Sequence, residues 1–454
     1  MQGERYVLLG LARARSEWFR SVSSWATTAA IPAEFVKCVS AEELRARLAS
    51  GRAFSAALLD GGLPATDRDL IAAVRDANCM PLVVDDGHSH GRDWRSLGAT
   101  AVLSVTMTRE QLLEILSTHA TTVGSSTALP SLDVEDALDT ASIRLDAPLV
   151  AVCGAGGTGA SCVAIALAQG LAEPAYQVCD QPVLLADLCR VADQAMLHDA
   201  RDVVPGVQEL VELHRGGHPT VAEIHAQTFH VTERGYQLLL GLRRPRYWSA
   251  LRPRSFEAAL SSLRQAFGAV VCDVDPDLES EADGGSLDVE ERNLMARTVI
   301  GQADGVFVVG RPDMVGLHGM VRLIGDLTAF GVPLARIVPV INQAPRRPRL
   351  RAELTRALHE LIGDPGISAT AGETGGEAEG GACVPPLFLP VRRVEEALRD
   401  GVALPAPLPA MLVGAYRGLL GGQRAVVTTS PTAPVRVEPG TLGALTVEEV
   451  VGPS

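Results

Sequence analysis

LVAVCGAGGTGASCVAIALAQGLA, Leu149 to Ala172, is the stretch whose reading decides the fold of most of the chain. An apolar run enters a glycine-rich turn and leaves it as a small-residue helical pattern. Such a strand, loop and helix can cradle phosphate on backbone N–H groups at the helix N-terminus. Two frames fit it. Gly154, Gly156 and Gly159 satisfy G-x-G-x-x-G, the dinucleotide fingerprint, in which an acid about 20 residues further on grips a ribose. Asp187, ending the run PVLLAD, is the candidate acid and lies well beyond that distance. The same residues fit the phosphate-loop frame G-x-x-x-x-G-K-[ST] if Ala160 takes the lysine position and Ser161 keeps the hydroxyl that faces Mg²⁺.

The rest of the chain separates the frames. Apolar runs LVAVC, PVLLAD, YQLLLGL, AVVCDVD, GVFVVG and RIVPVIN alternate with helical stretches, a parallel α/β pattern. Asp273 ends AVVCDVD, where a magnesium-facing acid belongs; Asp187 falls where a first switch would begin; Asn342 ends RIVPVIN. A dinucleotide enzyme needs none of these. Asp187 and Asp273 also suit plain helix caps, and Asn342 a turn.

The preceding half carries a second α/β pattern, with strands in YVLLGLA, EFVKCVS, FSAALLD, MPLVVDD and TAVLSV. Asp60, at the end of the third, stands where a response-regulator receiver carries its phosphoacceptor, and this half resembles such a domain. A working receiver needs an acidic pair after the first strand and a lysine after the fifth. Here those positions read Gly10-Leu11-Ala12-Arg13 and Ser104. Without the cation site, phosphoryl transfer to Asp60 loses its charge neutralisation. The expectation is a pseudo-receiver that serves as a docking or dimerising module, with Asp60 the candidate phosphoacceptor.

On these residues the chain resembles the ParA/MinD group of deviant P-loop ATPases. Their loop, G-K-G-G-x-G-K-[ST], aligns without gaps on Gly154, Ala155, Gly156, Gly157, Thr158, Gly159, Ala160 and Ser161. The resemblance implies nucleotide binding by Gly154, Gly156 to Ser161 and Asn342, and a metal position formed by Ser161, Asp187 and Asp273. Its implied cofactors are ATP/ADP and Mg²⁺. The architecture resembles the CpaE/TadZ-like branch, and GYQLLLGLRRPRYWSALRPRSFEAALSSLRQAFGAVVCDVDPD resembles its actinobacterial septum site-determining members. This likeness implies a homodimer working with division or pilus and secretion proteins, concentrated at a cell pole or septum. Both family lysines are alanine here. At roughly 1.5–3 kcal/mol for each lost charged hydrogen bond, the pair costs about a hundredfold to ten-thousandfold. Hydrolysis suffers most, because charge on the phosphoryl group peaks in the transition state. The arginines Arg243, Arg244, Arg246, Arg252 and Arg254 offer a substitute cation or a partner-binding face. The expected product is a scaffold with weak or absent ATP binding; the alternative is a NAD(P)- or FAD-binding Rossmann oxidoreductase.

Bulk properties agree with a folded chain. With 454 residues, 47% of them hydrophobic, it can bury more than one core. A net charge of -14 argues against nucleic-acid partners. No apolar run reaches membrane-spanning length, and MQGERYVLLGLARAR has too short an apolar core for a secretory signal, so a cytoplasmic location is expected. The eight cysteines show no C-x-x-C pair and read as reduced core thiols; His88 and His90 read as a polar loop. The expected division is a pseudo-receiver over 1–120, a linker over 121–146, a degenerate P-loop domain over 147–420 with a disordered insertion at 363–382, and a flexible tail over 421–454.

Overall fold

The computed structural model describes residues 5–13, 16–87, 92–123, 146–283, 286–363 and 384–428, the stretch 422–428 by its backbone alone. The bulk of the expected linker, the insertion from 364 onward, the tail from 429, and His88, His90 and Cys383 lie outside the described residues.

The first sheet contains β1 (Tyr6–Leu11), β2 (Ala33–Cys38), β3 (Ala56–Asp60), β4 (Met80–Asp85) and β5 (Ala101–Ser104). Their order is β2-β1-β3-β4-β5, and every pairing is parallel. This is the flavodoxin-like order. Side chains alternate between faces of a strand. Val7, Leu9 and Leu11 therefore enter one apolar cluster with the helices Ala41–Leu48 and Arg68–Asp76, while Leu8 joins Trp18, Val22 and Leu112 on the other face. Burial on both faces is what makes β3 read as an uninterrupted apolar run before Asp60.

The second sheet is built from β6 (Leu149–Gly154), β7 (Val183–Leu188), β8 (Phe229–Val231), β9 (Tyr236–Leu239), β10 (Ala269–Val274), β11 (Gly305–Gly310), β12 (Ile337–Ala344) and β13 (Leu387–Pro390). The order is β13-β12-β11-β6-β10-β7-β9-β8. All neighbours are parallel except β8 and β9, which form an antiparallel edge hairpin. All six apolar runs picked out in this half form strands. The edge strand β8 has no signature of its own, because three residues carry too little periodicity. The helix Ala160–Ala172 is apolar nearly all round, with Ile165, Leu167 and Ala168 fully buried. It lies between the sheet and the helix Leu408–Thr428. A Cβ added at Gly170 would stand 2.7 Å from the Pro409 carbonyl, so a larger residue would push the two helices apart. Among the described residues, no helix is long and apolar enough to cross a membrane.

Three consecutive residues that open the helix Arg68–Asp76 reach from the first sheet to the second. Asp67 caps its own helix through the Leu70 N–H at 2.9 Å and accepts Arg215 Nη2 at 2.9 Å. Arg68 donates to the carbonyls of His214 at 3.0 Å and Gly217 at 3.2 Å, closing the C-terminus of the helix Val207–Gly216. Asp69 accepts the N–H groups of Arg254 at 2.9 Å and Ser255 at 3.3 Å, and the Ser255 hydroxyl at 2.5 Å. The helix Pro253–Ala266 has no side-chain cap of its own. Asp69 supplies that cap from the other sheet.

Candidate functional site

The glycine loop sits at the carboxyl end of β6, whose neighbours β10 and β11 continue in opposite directions across the sheet. Open α/β sheets bind ligands in the crevice at such a reversal. Its glycines have separate physical reasons. A Cβ on Gly154 would stand 2.5 Å from the Val309 carbonyl oxygen and 2.6 Å from Thr158 Oγ1. Gly157 and Gly159 adopt φ of +80° and +87°, the left-handed region. Gly156 has nothing within 4 Å of a Cβ position, so its backbone lies open. Thr158 is buried and donates its hydroxyl to the Ala155 carbonyl at 2.7 Å, which closes the turn.

Asn342 reaches this loop from the end of β12. Its Nδ2 donates to the Thr158 carbonyl at 2.9 Å, and its Oδ1 accepts the Gln343 N–H at 2.9 Å. The side chain is a latch on the loop, a contact that its place after RIVPVI does not suggest. Ala155 lies against the helix Met314–Ala329, 3.4 Å from a Cβ position on Gly319. It lines, with Gly156, Arg297 and Arg322, an open cleft of ≈ 930 Å³. Ala160 opens the following helix. Neither alanine brings charge to the loop.

Asp187 and Asp273 are cross-strand partners on β7 and β10, with 0% and 2% of their surfaces exposed. Burial first, and then the neighbouring Asp273, holds the Asp187 carboxyl well above the usual carboxylate range. Burial likewise pushes Asp273 up to about 6, opposed by hydrogen bonds from Gln194 and from Ser161, the first-turn serine of the loop helix. Gln194 ties the acids together. Its N–H donates to Asp187 Oδ2 at 2.9 Å and its Nε2 to Asp273 Oδ2 at 2.7 Å, while its Oε1 is buried without a partner. Cys189 donates its N–H to Asp187 Oδ1 at 3.3 Å, and its sulfur lies with carboxylate oxygens of both acids in a group spanning at most 4.8 Å. Cys189, which the sequence presents as a core thiol, lies just past the end of β7, two residues after Asp187, and the turn there brings its sulfur to the acids. Gln194 had no signal in the sequence.

Asp275 and Asp277 are held by arginines instead. Arg190 takes Asp275 through its N–H at 2.8 Å and Nε at 3.2 Å, and Arg292 takes Asp277 at 3.1 Å. Of the arginines that could substitute for the missing cation, Arg243 pairs with Glu209 at 2.5 Å and Arg254 crosses to Asp76 at 2.9 Å. Both are engaged away from the loop.

In the first sheet Asp60 is 3% exposed and bound from several sides. It accepts the Arg13 N–H at 3.2 Å and the Gly62 N–H at 2.9 Å, and Arg13 Nε stands 3.3 Å from its Oδ1. The same guanidinium lies 3.8 Å from Asp86. Arg13 thus puts a fixed positive charge where a receiver gathers acids around a metal ion. Ser104 turns to Thr106, 2.9 Å away.

No protein-family model matches the chain, and no curated protein matches it. Among solved structures it is similar to a ParA family ATPase from Chlorobium tepidum TLS, at 16% identity over 63% of this chain and 95% of that one, with a TM-score of 0.42. It is also similar to the cell division ATPase MinD of Pyrococcus furiosus, at 15% identity over 60% and 99% of the two chains and a TM-score of 0.39. A plasmid partition protein from Borrelia burgdorferi B31, solved bound to AMPPNP, matches at 12% identity over 62% and 99%, with a TM-score of 0.39.

Proposed function

We propose that this chain is a ParA/MinD-like spatial regulator of the CpaE/TadZ type, a dimeric scaffold that places division or pilus and secretion proteins at a cell pole or septum and turns over little or no ATP. One observation carries the reading: the loop frame is intact from Gly154 to Ser161 while both cationic positions, Ala155 and Ala160, are methyl groups.

The residues present fit a nucleotide in part. The open backbone at Gly156 and the N-terminus of the helix Ala160–Ala172 supply uncharged donors for phosphate oxygens. Ser161 and Asp273 form an oxygen pair at the loop's edge that suits Mg²⁺, with Asp187 behind it. When bound, Mg²⁺ would neutralise phosphate charge. The chain's own contribution is to hold the loop through Asn342 and Thr158. The loop itself carries alanine at both cationic positions, Ala155 and Ala160, and so offers no charge of its own to a transferred phosphoryl group, so binding survives better than hydrolysis. The oxidoreductase alternative requires Asp187 to reach a ribose. Fully buried and bonded to the N–H groups of Cys189 and Gln194, it faces Asp273 instead.

Titration of a fluorescent ATP analogue with Mg²⁺, with phosphate release followed on the same sample, tests the reading. Weak or absent binding and negligible turnover are expected. Fast Mg²⁺-dependent hydrolysis lost in Asp273→Ala would overturn the scaffold reading, and stabilisation by NAD(P) without response to ATP would favour the oxidoreductase.

A further inference from the structure

We infer that Arg322 reads the outermost phosphate of a nucleoside triphosphate on the glycine loop, supplying from a neighbouring helix the positive charge that Ala155 and Ala160 leave out. The assignment rests on the nucleotide reading proposed above and adds to it a residue that separates triphosphate from diphosphate.

Three features of the structure converge on Arg322. The first is the direction of its side chain. On an α-helix each Cα–Cβ bond tilts toward the N-terminus, so a long side chain covers the turn before its own Cα. Arg322 stands three residues after Gly319 on the helix Met314–Ala329, and the turn it covers contains Gly319. Gly319 is also where the loop meets this helix, since Ala155 Cβ lies 3.4 Å from a Cβ position there. With no side chain at 319 and only a methyl group at 155, little bulk separates Arg322 from the loop. The second feature is the cleft itself, which Arg322 lines together with Ala155 and Gly156, the exposed first half of the loop.

The third feature is availability. Arg190 is bound to Asp275 at 3.2 Å and Arg311 to Asp313 at 3.5 Å. Arg297 donates to the Leu278 carbonyl and lays its guanidinium over the Phe330 ring, 5.1 Å from the centroid. Arg322 is exposed and, among the described residues, makes no hydrogen bond or ion pair; Asp326, four residues on, acts on it only through space. Two other acids of the cleft are already held, Asp277 by Arg292 and Asp283 by Ser280.

The chemistry of the loop assigns the phosphate. A glycine loop cradles the inner phosphates on its N–H groups and at the N-terminus of the helix that follows, here Ala160–Ala172. That leaves the outermost phosphate, which carries the extra charge of a triphosphate, to the other end of the loop. A guanidinium is always charged, and its planar fork matches phosphate oxygens in pairs.

Fluorescent analogues of ADP and of a non-hydrolysable ATP, titrated with Mg²⁺ into the purified full chain, test this. We expect the wild type to prefer triphosphate. Arg322→Ala should cut that preference by about tenfold, the lower end for a hydrogen bond to a charged group, with diphosphate affinity close to wild type. Arg322→Lys, which keeps the charge without the fork, should fall between the two. Arg349→Ala removes an exposed charge paired with Glu353 on another helix, and should leave the preference unchanged. The inference is overturned if the wild type binds both nucleotides alike or binds neither, if Arg322→Ala keeps the preference, or if Arg322→Lys drops to the alanine level. It is also overturned if Arg322→Ala weakens both nucleotides equally, as a structural or general electrostatic role would. The wild-type titration decides even where a variant fails to fold. Absence of binding leaves the scaffold reading standing, whereas fast hydrolysis by a chain that shows the Arg322 dependence sinks that reading and keeps the inference.

Discussion

At the scale of single residues, the missing lysine makes the first prediction. If the loop holds nucleotide as proposed, Ala160→Lys adds a charged contact to phosphate and is expected to tighten ATP binding by about tenfold to a hundredfold, from roughly 1.5–3 kcal/mol; titration of the labelled nucleotide reads it. Asp273 makes the second. Its carboxyl is raised to about 6 in the folded chain. Between the ordinary carboxylate pKa and that value the folded state holds more protons than the unfolded one. Stability therefore falls as pH rises through this window, and the loss is complete above it. Asp273→Asn removes the penalty and should stabilise the metal-free chain near neutral pH by about 2–3 kcal/mol. Urea unfolding at about pH 5 and about pH 7.5 checks this, the difference between the two shrinking in the variant. Gly159→Ala should cost about 1–2 kcal/mol for its left-handed backbone, and more for a clash with Asn342 Nδ2, 2.5 Å from the Cβ position. The same urea titration measures it.

At the scale of elements, the helix Pro253–Ala266 takes its N-terminal cap from Asp69 of the other sheet. Asp69→Ala should destabilise it by about 1–2 kcal/mol, the usual worth of a cap. Faster hydrogen exchange in the first turn of that helix is the local signature to seek. The strands themselves were legible because parallel sheets are buried on both faces and leave apolar runs ending in a turn. Runs such as AVVCDVD and GVFVVG could hardly be read otherwise. The hairpin partner β8 was not legible, since its three residues gain their pairing from β9 and not from a pattern of their own. Arg13 was visible as a departure from a receiver, but its bond to Asp60 depends on how the loop after β1 folds back over β3.

At the scale of the whole molecule, the run Asp67-Arg68-Asp69 fastens the first sheet to two helices of the second. Asp67 and Asp69 are nearly buried where they bind Arg215 and Ser255. Buried charged pairs rarely tolerate the loss of one partner. The intact chain is expected to unfold in one calorimetric transition, and Asp69→Ala combined with Arg215→Ala to separate it into two. This helix face of the first α/β unit is thus committed to its own chain, which confines any docking role to its remaining surface.

The sequence by itself determined the two parallel α/β units, the glycine frame, the strand-end acids Asp187 and Asp273, and the absence of both loop lysines. Each follows from local chemistry: burial sets the apolar runs, turn geometry sets the glycines, and a missing charge is missing in any fold. The tertiary structure decided what those residues face. It set Asp187 against Asp273 by strand register, turned Asn342 onto the loop, brought Gln194 and Cys189 to the acids, and directed Arg254 to the other sheet. Such contacts join residues far apart in the chain. Their partners are chosen by which strand lies beside which, and that order is not written in the period of any single element.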